Sequence, residues 1–257
     1  MNKQSFRFNN ILKTNCIIDA HVHLPSVHWP HHKSFFDSVD SAVDYLKKAG
    51  IDGAVFNTWQ GVFSKSARDV DEANADALNL AKIYNGFLYP GAVINPLFNN
   101  ESKLWLEKFR DAGSIWAGEL VLQNHGLPYI APEFLKLFEI CAKHNHIVQL
   151  HQDKDIIKLA AHFPQLRIVC SHIPESSTLL QLAKCKNVWL DISGSIGGLV
   201  IGQIEKSVKA FGIDRVLFGS DFDGYEPASF IARVNSVIKN AQDREKIFKN
   251  NFLSLLK

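Results

Sequence analysis

His21 and His23 stand two residues apart in the run Cys16-Ile17-Ile18-Asp19-Ala20-His21-Val22-His23-Leu24. The run is apolar and reads as a strand, on which alternate side chains share a face. Both imidazoles therefore look the same way, and two imidazoles on one side of a strand end can share a metal ion. More groups of ligand type close later apolar runs. Glu119 lies near the end of 114–120, His151 closes 146–151, His172 closes 167–172, and Asp221 closes 215–221. Histidine and carboxylate are donors that suit zinc and other first-row divalent ions. Each has an ordinary structural account when taken alone. A strand-end histidine can be a rim residue, Asp221 can cap a following helix, and Glu119 can pair with a nearby cation. Six such groups at the ends of five strands point instead to one shared site.

Strands are what must position these groups. Short apolar runs, many rich in Val, Ile or Phe, predict strands at 16–23, 53–58, 88–94, 114–120, 146–151, 167–172, 188–193 and 215–221. Segments of helical periodicity fall between them, at 38–49, 70–84, 101–112, 131–144, 155–163, 176–184 and 199–211. Several end at Gly50, Gly113 or Gly212, a usual helix stop. The tail, 227–257, reads as two helices around Asn240. Strands alternating with helices imply parallel pairing and right-handed crossovers. Eight repeats predict a closed (β/α)8 TIM barrel with extra C-terminal helices, and an open doubly wound sheet is the competing fold. In such a barrel the active site lies at the C-terminal strand ends, where all six groups fall.

The chain's 257 residues suit one such domain, 1–257, with no linker or repeat to divide it. A net charge of +2 argues against nucleic acid or an anionic membrane as partner. The sequence has no apolar run of transmembrane or signal-peptide length. Cys16, Cys141, Cys170 and Cys185 form no CxxC pair and read as reduced thiols. A cytoplasmic enzyme of a small organic molecule is the expectation. Without a heptad pattern the oligomeric state stays open, and a homodimer is compatible with the sequence.

Asp19-Ala20-His21-Val22-His23-Leu24, followed by His151, His172 and Phe218-Gly219-Ser220-Asp221-Phe222, resembles the amidohydrolase superfamily. More narrowly it is similar to the amidohydrolase-related, decarboxylase-like branch, from residue 16 to about residue 222. The resemblance implies a metal-dependent hydrolase, usually with zinc, while Mn or Mg also suits the donors. One-metal members imply His21, His23, His151 and Asp221 as ligands, with His172 binding or polarising substrate. Two-metal members imply a second ion on His151 and His172 and a bridging group on the fourth strand. That bridge is often a carboxylated lysine, and here it would be Glu119. The Ala117-Gly118-Glu119 stretch is also similar to TatD-like deoxyribonucleases. Ile173-Pro174-Glu175-Ser176 after His172, and Asp223 where proline is common, depart from the two branches respectively.

The implied reaction is hydrolysis of an ester, lactone or amide by a metal-activated water, whose pKa falls to about 7. Asp221 would be the general base, and His172 would help the metal stabilise the oxyanion. Decarboxylation of a small aromatic acid is the alternative. Around this set, Asp19 could hydrogen-bond a ligand histidine, and Asp191 could touch substrate or His172. The loop from His28 to His32 could cover the metal. Lys65 or Arg68 could hold a substrate carboxylate or be solvated surface charge. His125 could reach the pocket, and Ile196-Gly197-Gly198 could let substrate approach backbone. His144, His146 and His162 precede strands and belong to the opposite face.

Overall fold

The computed structural model describes residues 6, 8, 9, 11, 13, 15–26 and 34–257. Eight parallel strands form one sheet in sequence order: β1 Ile18–Leu24, β2 Gly53–Thr58, β3 Leu88–Ala92, β4 Trp116–Leu120, β5 Ile147–His151, β6 Arg167–Ser171, β7 Val188–Asp191 and β8 Val216–Leu217. The chain beyond β8 returns to β1 and closes the barrel. Ala20 N–H donates to the Phe218 carbonyl at 3.0 Å, Asp221 N–H donates to the His21 carbonyl at 2.9 Å, and Val22 bridges Phe222. The architecture is the (β/α)8 TIM barrel that the alternation predicts.

Helices at Val39–Lys48, Ala67–Ile83, Asn99–Ala112, Pro132–Lys143, Asp155–His162, Ser176–Leu182 and Gln203–Phe211 lie between the strands. Local chemistry sets their ends. Ser38 caps the first through the Ser41 amide, and Ser66 with Asp69 forms a capping box on the second. Gly113, at φ 94°, stops the helix before β4. Pro227–Val237 is followed by a helical segment from Ala241 to Leu255 that carries a π-helical stretch at Lys246–Asn250. Asn240 starts it by accepting from the amides of Gln242 and Asp243.

Every residue of β1 is buried. Its alternation sends Asp19, His21 and His23 into the barrel, and Ala20, Val22 and Leu24 against the helical layer. The eighth segment is anchored the same way. Phe218 packs on Phe248 of the C-terminal segment, and Phe222 packs on Phe36 and Tyr45. Burying each of these rings contributes roughly 2–3 kcal/mol, which fixes the stretch that carries Asp221. No helix among the described residues is long and apolar enough to cross a membrane.

Candidate metal centre

β8 ends at Leu217, four residues short of Asp221, and β6 ends one residue before His172. Both residues take left-handed backbone, φ 63° at His172 and φ 65° at Asp221. Non-glycine residues rarely adopt it, and it costs about 1–3 kcal/mol where surroundings enforce it. The surroundings are hydrogen bonds: His172 N–H donates to Asp191 Oδ1 at 3.0 Å, and Asp221 N–H donates to the His21 carbonyl. The twist turns both side chains over the barrel mouth instead of along the strand.

There the atoms converge. His21 Nε2 lies 3.1 Å from His23 Nε2, and each is 3.4 Å from Glu119 Oε2. Asp221 Oδ1 is 3.6 Å from His21 Nε2 and 3.4 Å from His23 Nε2. The other Glu119 oxygen, Oε1, lies 3.1 Å from His151 Nδ1 and 3.4 Å from His172 Nε2. One carboxylate thus faces two histidine pairs, one with each oxygen. The structure brings together all six residues that the sequence marks, although His151 joins the others only through Glu119 and its ring contact with His172.

These separations suit a cation. An ion bonded tetrahedrally at about 2.1 Å holds its ligand atoms about 3.4 Å apart. The group His21, His23, Asp221 and the group His21, Glu119, His172 each offer donor atoms within 4.8 Å of one another. His21 Nδ1 lies 3.1 Å from Asp191 Oδ2, so its proton belongs there and Nε2 presents a lone pair to three other electron-rich atoms. Such a buried cluster is stable only around positive charge. Without a metal, protons supply it. Burial works against a charged His21, but Glu119 and Asp191 outweigh it and hold the ring's pKa well above the usual value. The same pairing keeps Glu119 well below the carboxylate range despite its burial. His172 is raised as well, burial being overcome by Glu119.

Two glycines make room for this arrangement. A side chain on Gly118, at φ 104°, would sit 2.1 Å from the Gln149 carbonyl, so only glycine lets β4 present Glu119 there. A side chain on Gly194, at φ 77°, would sit 2.5 Å from His172 Nδ1.

Asp19 does not touch a ligand ring. Its Oδ1 accepts from the amides of His21 and Ser220, and its Oδ2 accepts from the Ser220 hydroxyl at 2.5 Å. It ties β1 to the residue before Asp221, and burial pushes its carboxyl up to about 7. Asp191 is the carboxylate that holds His21. Asp223 accepts from Trp59 Nε1 at 2.8 Å and from Ser34, while the Trp59 indole lies over the His23 ring at 4.4 Å. Neither contact had a signal in the sequence beyond the presence of an aromatic residue after β2.

A cavity of about 200 Å³ opens over the cluster, lined by His151, His172, Gly194, Ile196, Asp221 and Tyr225, among others. Lys65 donates to the Asn124 carbonyl and Arg68 pairs with Glu72, both in exposed positions. His125 packs against Phe134. The histidines at 28, 31 and 32 lie outside the described residues. A larger cavity of about 300 Å³, between Cys16 and Arg244, lies at the N-terminal end of β1 and holds none of these groups.

A family model described as amidohydrolase matches residues 18–256. No curated protein matches the chain in sequence. Among solved structures, 5-carboxyvanillate decarboxylase from Novosphingobium aromaticivorans, complexed with manganese and 4-hydroxy-3-methoxy-5-nitrobenzoic acid, is similar with a TM-score of 0.76 at 12% identity, covering 100% of this chain and 99% of that one. 2,6-Dihydroxybenzoate decarboxylase from Rhizobium gives a TM-score of 0.72 at 16% identity, covering 94% and 98%. A protein described as a probable 2-pyrone-4,6-dicarboxylic acid hydrolase from Acinetobacter baumannii, with citric acid bound, gives 0.66 at 18% identity, covering 93% and 98%.

Proposed function

Since the chain belongs to the amidohydrolase family, we propose that it is a metal-dependent hydrolase of a small ester, lactone or amide, in which Glu119 would be shared between two divalent ions. The observation that carries this reading is the division of Glu119, whose Oε2 faces His21 and His23 while Oε1 faces His151 and His172. His21, His23 and Asp221 would hold the first ion and His151 with His172 the second. Zinc suits this mixture of imidazole and carboxylate, and manganese suits it as well. Ions held there would supply Lewis acidity and a water acidified to a pKa of about 7.

The protein's part is proton transfer and positioning. Asp221, with 17% of its side chain exposed, borders the cavity. It would take the proton of the attacking water and deliver it to the leaving group. Asp191 holds the proton on His21 Nδ1 and so keeps Nε2 free to bind. Ile196 and Tyr225 give the cavity an apolar side, and its size suits a molecule of one ring.

A second reading is decarboxylation of a small aromatic acid. The names of the manganese-bound neighbour and its Rhizobium counterpart favour it, as does the apolar wall of the cavity.

Metal content by inductively coupled plasma mass spectrometry, on untagged protein, tests the proposal. Two equivalents in the wild type and about one in Glu119→Gln and in His21→Ala/His23→Ala would support it. Product analysis then separates the readings, because hydrolysis consumes water and decarboxylation releases CO2. No metal in the wild type after reconstitution would overturn both.

A further inference from the structure

Ser193 lies two residues beyond β7 and is fully buried. Its hydroxyl touches three groups at once. Oγ is 3.0 Å from His21 Nδ1 and 2.9 Å from His172 Nδ1, and it donates to Asp191 Oδ1. The His21 and His172 rings stack beside it at 5.1 Å and 27°. We infer that Ser193 is a positioning residue that fixes the tautomer of His172, with Asp191 fixing that of His21, so that both rings turn an Nε2 lone pair toward Glu119.

The argument is a count of protons. A hydroxyl has one proton and two lone pairs. Asp191 accepts from the amides of His172 and Ser193 and from Gln149 Nε2, so its oxygens face donors and the Ser193 proton goes to it. The Ser193 oxygen is then left as an acceptor for both imidazoles. His21 Nδ1 already faces Asp191 Oδ2 and carries a proton in either case. His172 Nδ1 faces Ser193 and must supply the proton of that bond. Its Nε2, 3.4 Å from Glu119 Oε1, is therefore an acceptor facing an acceptor. That arrangement suits a metal ligand and excludes neutral His172 as a hydrogen-bond donor to substrate through Nε2.

The rest of the network makes the assignment rigid. Asp191 also accepts from Gln149 Nε2 at 3.0 Å, from the His172 amide at 3.0 Å and from the Ser193 amide at 3.1 Å. Gln149 is itself oriented, since its Oε1 accepts from Trp116 Nε1 at 3.0 Å. A chain of fixed donors thus runs from β4 through β5 and β7 to the two histidines. Gly194 follows at once, and the space it leaves is filled by the His172 ring. The inference concerns the site proposed above and rests on His172 serving as a ligand there.

The test uses Ser193→Ala, which removes the hydroxyl without adding volume, and Ser193→Thr, which restores it. Long-range 1H–15N NMR of the metal-free proteins, at a pH above the raised pKa of His172, reads which nitrogen of the neutral ring carries the proton. Competition with a colorimetric chelator reads metal affinity. The expected result is a proton on Nδ1 in the wild type and its loss from that position in Ser193→Ala. Affinity for the second metal equivalent should fall about 10- to 100-fold, while the first changes little because Asp191 still holds His21. Ser193→Thr should return both readouts toward the wild type, and if its added methyl unfolds the protein, the comparison of Ser193→Ala with wild type stands alone. A proton on Nε2 of His172 in the wild type would overturn the inference, as would unchanged affinities in Ser193→Ala. Should the wild type bind no metal, the proposed function fails, yet the NMR of neutral His172 still decides the tautomer.

Discussion

Gly194→Ala isolates how tightly the centre is held. The new methyl would stand 2.5 Å from His172 Nδ1, 3.0 Å from Cε1 and 3.2 Å from Cγ, at a backbone φ of 77°. The left-handed conformation alone costs an alanine about 1–2 kcal/mol. The ring cannot simply lean away. Its amide is bound to Asp191 and its Nδ1 to Ser193, and both partners are buried. Moving the ring by about 1 Å breaks at least one of these bonds, at about 1–3 kcal/mol for a buried group left unsatisfied. The sum is about 2–5 kcal/mol, or a fall in Tm of roughly 4–20 °C for a domain of this size. A displacement of that order at a reacting centre costs about 100-fold in rate. Gly126→Ala is the control, because its φ is 68° and nothing lies within 4 Å of the added methyl. It should lose only the backbone term and keep its metal. Differential scanning calorimetry and metal content after dialysis measure both variants. If Gly194→Ala retains metal and melts no lower than Gly126→Ala, the packing argument for His172 is wrong.

Chelation of metal from the wild type should lower Tm by roughly 5–11 °C, since ligand at 100 times its dissociation constant stabilises by about 2.7 kcal/mol. The His21→Ala/His23→Ala variant, left with the second site alone, should show a smaller shift. Burial depresses the pKa of His146 to about 4, far from the described metal cluster, against a usual value of 6.5. The unfolded chain therefore binds this proton first, so stability is full above about pH 6.5 and falls as pH drops toward 4. The loss approaches about 3 kcal/mol, and urea unfolding of His146→Leu should show a correspondingly shallower decline over that window. Ser220→Ala removes the hydroxyl that donates to buried Asp19. It should cost about 1–3 kcal/mol in urea unfolding, with metal content kept if Asp19 acts through the backbone.

The barrel was legible because its strands are short apolar runs separated by segments of helical periodicity, and the stops at Gly113 and Gly212 fall where the structure ends helices. The eighth strand was read too long. Composition through Asp221 is strand-like, but regular strand ends at Leu217, the backbone turns left-handed at Asp221, and beyond it a single bridge joins Phe222 to Val22. The short helices Trp59–Val62 and Leu122–His125 were missed, being too brief to show a period. The residues of the centre stood out because histidine and carboxylate at strand ends are chemically unusual. Their supports did not. Ser193 is the last residue of a run read as a strand and is not a metal-ligand type, and Asp19 and Asp191 look alike as strand aspartates. Only the fold shows that Asp191 reaches a ring nitrogen while Asp19 reaches backbone and Ser220.

The position of Glu119 bears on which reaction this barrel performs. A carboxylate that served one ion would be free to turn its second oxygen toward solvent or a structural donor. Here the side chain is 4% exposed and its second oxygen faces His151 and His172. Those two rings stand 4.7 Å apart beside the carboxylate, with Gly194 leaving room for the His172 ring. Keeping a buried anion between four imidazoles is costly in the absence of matching charge. That cost is offset if cations share the site, and ions held there would supply the Lewis acidity that hydrolysis uses. Release of CO2 needs no attacking water. A one-ion enzyme on this barrel would instead take His151 as a ligand of its single ion and leave His172 to substrate. Replacing His151 by Asn therefore separates a two-ion from a one-ion centre, and metal analysis reads it. A two-ion centre should lose one equivalent and keep the other on His21, His23 and Asp221, whereas a one-ion centre should bind one equivalent in the wild type and lose most of it in the variant.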